Sequence, residues 1–192
     1  MAGRVTAGTV GNLSSLNDHL KEGSKTLEVY DSLARSRRLR AADRELFFRW
    51  IFDTLMEKRR YADVTVAVPD PIAAVKGEIE GVAGYKKYAS QFTRRQRREI
   101  LKYLREDAVE KSGRYYEAFL GAGNKELAGK IRDGVLAFDS SGATFVRLIE
   151  AAARAGDPAA ARELAFRGEA AVGWWSPRQR KLIRAAAAAI PK

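Results

Sequence analysis

Helix starts are written into this chain at four places. Asp70-Pro71 and Asp157-Pro158 each set an N-cap acid before a proline at the first helical position, where a missing N–H costs nothing. Thr93-Arg94-Arg95-Gln96 and Ser176-Pro177-Arg178-Gln179 are capping boxes, with Gln three residues after the cap. Between these signals apolar residues recur at helical spacing. Together they predict helices over 26–38, 41–60, 71–84, 93–110, 113–121, 125–138, 143–155, 158–172 and 177–190. Gly77, Gly81 and Gly84 weaken the 71–84 segment. The fold class is therefore all-α, a multi-helix bundle whose short connections make neighbouring helices antiparallel.

One passage reads differently. Val64, Val66 and Val68 alternate with Thr65 and Ala67, a period-2 pattern with no second strand to pair with, so 63–69 is expected to be an extended connector or protruding loop. Core positions are expected at Ile100, Leu101, Leu104, Phe119, Leu127, Ile131, Val135, Phe145, Leu148, Ile149, Leu164, Ile183 and Ile190. Residues 1–25, rich in Gly, Ser and Thr, are expected to form a flexible N-terminal arm. A helical region over 26–121 and a C-terminal bundle over 124–192 follow, within one compact unit. The Gly121-Ala122-Gly123 break is where two sub-bundles would divide.

Charge narrows the function. The chain has 35 Lys and Arg against 24 Asp and Glu, a formal net charge of +11, which favours a polyanionic partner. Much of that charge sits where helix physics disfavours it. The two capping boxes belong to one phrase written twice, Phe92-Thr93-Arg94-Arg95-Gln96-Arg97-Arg98-Glu99-Ile100-Leu101 and Trp175-Ser176-Pro177-Arg178-Gln179-Arg180-Lys181-Leu182-Ile183-Arg184. Cations in a first helical turn oppose the positive end of the macrodipole at about 0.3–1 kcal/mol each. A phosphate at the helix N-terminus would offset that cost.

Three basic patches result. The densest runs from Tyr85 to Arg105 and contains Lys86, Lys87, Arg94, Arg95, Arg97, Arg98, Lys102 and Arg105, opposed by Glu99 alone. Its interleaved aromatics suit a backbone-tracking surface with stacking platforms, as single-stranded nucleic acids require. Tyr85 and Tyr88, in a Gly-flanked linker, are the expected platforms, whereas Tyr103 is expected to flank the core beside Leu104. The second patch is Arg178, Arg180, Lys181 and Arg184 behind Trp174-Trp175, which reads as a hydrophobic anchor. The third is Arg35, Arg37, Arg38, Arg40 and Arg44 at a helix corner. Arg95, Arg97 and Arg98 are the strongest candidates for phosphate contact, and RNA or single-stranded DNA is the favoured partner.

Signals for catalysis are weak. The chain has no Cys, and its single histidine, His19, lies in a polar stretch that favours a solvated side chain. There is no nucleophile elbow, P-loop or His/Asp metal cluster, so neither a cofactor nor a metal is expected. Asp70 followed by Glu78 and Glu80 is similar to a nuclease carboxylate set but lacks its lysine, and a helix cap explains Asp70 more simply. No signal peptide or bilayer-spanning run is visible, which predicts a cytoplasmic protein with no membrane partner.

The phrase Thr93–Leu101 resembles a Thr-x-x-Gln-x-Arg helix start in the small subunits of CRISPR effector complexes. That resemblance implies a small, basic, all-helical protein without catalytic residues, which joins other protein subunits and contacts the backbone of a guide or target strand. This chain differs by an additional N-terminal helical region. Two other readings of the same residues stand beside it: a helical coat protein of an archaeal filamentous virus, self-associating around double-stranded DNA, and a DNA- or RNA-binding accessory protein of a phage or plasmid.

Overall fold

A computed structural model describes residues 40–173 and 176–191. The expected arm over 1–25, the helix over 26–38, Arg37, Arg38 and the Trp174-Trp175 pair lie outside the described residues. Among those described there are eight α-helices, one 3-10 helix and no strand, so the fold is all-α. The chain forms two compact units, Met1–Arg60 and Tyr61–Lys192.

In the first unit, α1 spans Ala41–Glu57 and buries Ile51, Phe52, Leu55 and Met56. It ends three residues before the expected Arg60. Arg59 turns the chain at φ 52° while the Arg60 amide returns to the Leu55 carbonyl at 2.8 Å, closing the helix in a left-handed cap.

The second unit runs through α2 (Tyr61–Ala67), α3 (Pro71–Gly84), a 3-10 helix (Tyr85–Gln91), α4 (Arg94–Gly121), α5 (Lys125–Phe138), α6 (Gly142–Arg154), α7 (Pro158–Ala171) and α8 (Pro177–Ala188). The spine is α4, on which α2, α3, α5 and α6 all lie; α7 and α8 pack on α6 and on each other. The core of this unit is Ile131, Val135, Leu148, Ile149, Leu164 and Ile183 with Phe119 and Phe145, all buried. Gly168 lets α7 approach closely, since a Cβ there would stand 2.8 Å from the Phe145 ring.

Three expectations change. The passage over 63–69 is no extended connector: Tyr61–Ala67 is a helix that buries Tyr61 and Val64 and exposes Val66, with Val68 buried just past its end. The buried positions follow i, i+3, i+7, and tertiary burial of that face overrides the β preference of alternating Val. The helices expected at 93–110 and 113–121 are one helix of 28 residues. Gly113 costs about 1 kcal/mol of propensity, but Val109, Ser112, Tyr116 and Phe119 continue one buried face straight through it. The Gly121–Gly123 break is a tight link between two helices that lie against each other, and Asn124 caps α5 by accepting from the Leu127 amide at 3.2 Å. It therefore falls inside the second unit; the chain divides at Arg60 instead.

Short α2 is fixed by one buried polar cluster. The Tyr61 hydroxyl lies 3.0 Å from Glu117 Oε1 and 3.2 Å from the Arg154 carbonyl oxygen, while Arg154 Nε donates to Glu117 Oε2 at 2.8 Å. The Tyr61 ring lies on Gly121, where a Cβ would come within 2.2 Å of it.

Candidate nucleic-acid interface

The first copy of the repeated phrase folds as its residues require. Thr93 is the N-cap of α4: its hydroxyl accepts from the Gln96 amide at 3.3 Å, and Gln96 Oε1 accepts from the Thr93 amide at 3.0 Å. Residues 93–99 are all exposed. Burial deepens only farther along, with Ile100, Leu101 and Leu104 half-buried rather than in the core and a fully buried face from Ala108 onward. Leu127 and Ile190 are likewise half-buried.

Among the described residues the cations of this helix start have no partner. Arg94, Arg95, Arg97, Arg98 and Lys102 are exposed, and among the described residues no side-chain hydrogen bond or ion pair engages them. At about 100° per residue, Arg94, Arg98, Lys102 and Arg105 fall on one face with Arg95 beside them. Arg97 falls instead on the side of Ile100, Leu101 and Leu104. Arg105 stands over the Phe138 ring at 5.5 Å, a cation–π contact that orients its guanidinium.

That basic face forms one wall of a groove. Arg98, Leu101, Lys102, Arg105 and Glu106 of α4 face Asp139, Ser141, Ala143, Thr144 and Arg147 at the start of α6, enclosing about 380 Å³. Asp139 organises the far wall, accepting from the Ser141 amide at 3.0 Å and the Thr144 hydroxyl at 2.9 Å. Arg147 is tied to Glu110 at 2.6 Å. Sequence reasoning missed Glu106, Asp139, Ser141, Thr144 and Arg147, because only the fold brings α6 to α4. The stripe itself carried a signal in its i, i+4, i+8, i+11 spacing.

The second copy folds differently. Ser176 makes no side-chain cap bond, and Gln179 does not complete a capping box. Its Oε1 accepts instead from the Gly142 amide at 3.0 Å, pinning α8 to the N-terminus of α6. Both copies of the phrase thus meet the same helix start. Two of its cations are absorbed by the fold: Arg184 Nε and Arg180 Nη2 donate to Glu169 at 2.8 and 3.4 Å. Arg184 first, then Arg180, holds the Glu169 carboxyl below the usual carboxylate range against the opposing effect of burial. Arg178 and Lys181 remain exposed and without a partner among the described residues.

The aromatics also sort differently from expectation. Tyr85 is half-buried, stacked on Phe92 at 6.0 Å with its hydroxyl buried, so it is no open platform. Tyr88 is 59% exposed and Tyr103, expected against the core, is 67% exposed. Tyr103 points away from the basic stripe of α4, one turn after Glu99. Lys86 and Lys87 belong to the 3-10 helix, with Lys87 exposed. Arg40 is exposed immediately before α1, in the first unit.

Among the described residues no group of three His, Cys, Asp or Glu side chains is placed to hold a metal ion, and no helix is long and apolar enough to cross a membrane. The arrangement is suited to holding anions along a helix face. No family model, curated protein or solved structure matches the chain.

Proposed function

We propose that this chain is a non-catalytic protein that binds nucleic-acid backbone without base specificity, as one subunit of a larger nucleoprotein complex. One observation carries the reading: Arg94, Arg95, Arg97 and Arg98 crowd an exposed helix N-terminus with no intramolecular partner among the described residues. Folding gains nothing from that placement and loses some dipole energy, whereas a phosphate strand along the stripe would satisfy Arg94, Arg95 and Arg98 together. In its finest form the proposal is a small subunit of a CRISPR effector complex. It rests on the Thr93–Leu101 phrase and on an all-helical, basic chain, and co-purification of sister subunits with a guide RNA from the native host tests it.

The interface itself is tested by salt. Replacing Arg94, Arg98 and Lys102 together with Ala should lower the log–log salt slope for a single strand by about 0.7 for each phosphate left without its cation, about 2 in all. Arg97→Ala, off the stripe, should change the slope by less than about 0.7. A triple variant with the wild-type slope removes α4 from the interface.

A further inference from the structure

We infer that the groove between α4 and α6 is selective for RNA over DNA, with Glu106 accepting hydrogen bonds from ribose 2′-hydroxyls. The inference rests on the nucleic-acid reading above and adds the sugar to it. The stripe from Arg94 to Arg105 covers about 16 Å of helix, room for a short run of phosphates along one strand. Two carboxylates stand among the residues that line its groove, Glu106 and Asp139. They differ in what they already do. Asp139 is committed to the protein, accepting from the Ser141 amide and from the hydroxyls of Ser141 and Thr144 at the start of α6. Glu106 is exposed and, among the described residues, has neither an ion pair nor a hydrogen bond, although Lys102 lies one turn before it and Arg105 beside it.

A carboxylate without a partner in a phosphate-binding groove acts in two directions. Toward a DNA strand it is a like charge within a Debye length of the phosphates, with no donor on the deoxyribose to compensate. Toward RNA it is an acceptor-only group facing a 2′-hydroxyl that can donate, and such a charge-assisted bond is short and strong. The cations on either side hold the backbone that presents the sugar. Arg98, Lys102 and Arg105 therefore supply affinity for either nucleic acid, while Glu106 penalises one and rewards the other.

The test compares the affinities of the full chain for a short single-stranded RNA, the DNA of the same sequence and its 2′-O-methyl RNA, at one salt concentration. RNA is expected to bind several-fold more tightly than the other two, because methylation removes the donor as completely as deoxyribose does. Glu106→Ala should weaken RNA and strengthen DNA until the two affinities meet. Glu106→Gln, which keeps an acceptor oxygen, should retain part of the preference. The residue is exposed, so unchanged helix content in both variants confirms that the fold is intact. Equal wild-type affinities, or a Glu106→Ala variant that tightens both strands by the same factor, would overturn the inference and leave backbone binding standing. Failure of every strand to bind overturns both.

Discussion

Thr93 and Ser176 occupy the same place in the repeated phrase, but only Thr93 caps its helix through its side chain. Thr93→Ala should cost about 0.5–2 kcal/mol at that helix end, read as faster amide exchange over residues 96–98. Ser176→Ala should leave urea stability within about 0.5 kcal/mol. Gln179 is the residue to change in the second copy: Gln179→Ala orphans the Gly142 amide and should cost about 1 kcal/mol. Tyr116 makes a separate prediction. Burial pushes its phenol up to about 12 from 10.0, against the opposing field of Arg132. A phenol that ionises more readily unfolded than folded stabilises fully below the unfolded value. That stability is lost as pH rises from 10.0 toward about 12. The loss is on the order of 2–3 kcal/mol, and the alkaline unfolding of Tyr116→Phe should lack it.

At the scale of elements, α2 shows how a seven-residue helix can be held by so few residues. Isolated helices of that length do not form in water, so its stability is borrowed from the Tyr61–Glu117–Arg154 cluster and the contact with Gly121. Tyr61→Phe should cost about 1–3 kcal/mol by leaving the buried Glu117 short of a donor. A double-mutant cycle with Glu117→Gln isolates the coupling. Gly121→Ala should also destabilise, by about 1–3 kcal/mol, because its methyl has no room beside the Tyr61 ring. The spine α4 is divided along its length rather than broken: its second half is core and its first half is exposed. Buried core positions and the exposed cations therefore belong to one helix.

Across the whole molecule, charge is sorted rather than spread. Some cations are absorbed by acids, as in Arg147–Glu110, Arg154–Glu117 and Arg184–Glu169, while those of the α4 stripe meet no acid among the described residues. Salt should separate the two sets. Exposed pairs such as Arg147–Glu110 contribute about 0–1 kcal/mol each, and the buried Glu117 of the Arg154 pair is little screened, so the melting temperature should change little as salt rises. On the proposed reading, nucleic-acid affinity should fall steeply over the same range, because the counterions released on binding gain less entropy at higher salt. Parallel declines in both quantities would mean that the stripe stabilises the fold.

The sequence by itself determined the fold class, most helix starts and the Arg-rich opening of α4, because helix capping and apolar spacing act over a few residues and need no tertiary partner. Asp70, Thr93, Asn124, Ser141 and Asp157 all cap helices that local chemistry announces. Only the tertiary structure decided that 61–67 is helical, that Gly113 does not interrupt α4, and that Gln179 serves Gly142 instead of its own helix. It also decided which cations pair and which face the groove. Each of those outcomes depends on a partner far away in sequence: burial chose the period at Val64, and a distant acid or amide claimed the side chain at Arg184 and Gln179. The two copies of one phrase therefore diverged, with the first left open on an exposed helix end and the second drawn into the fold.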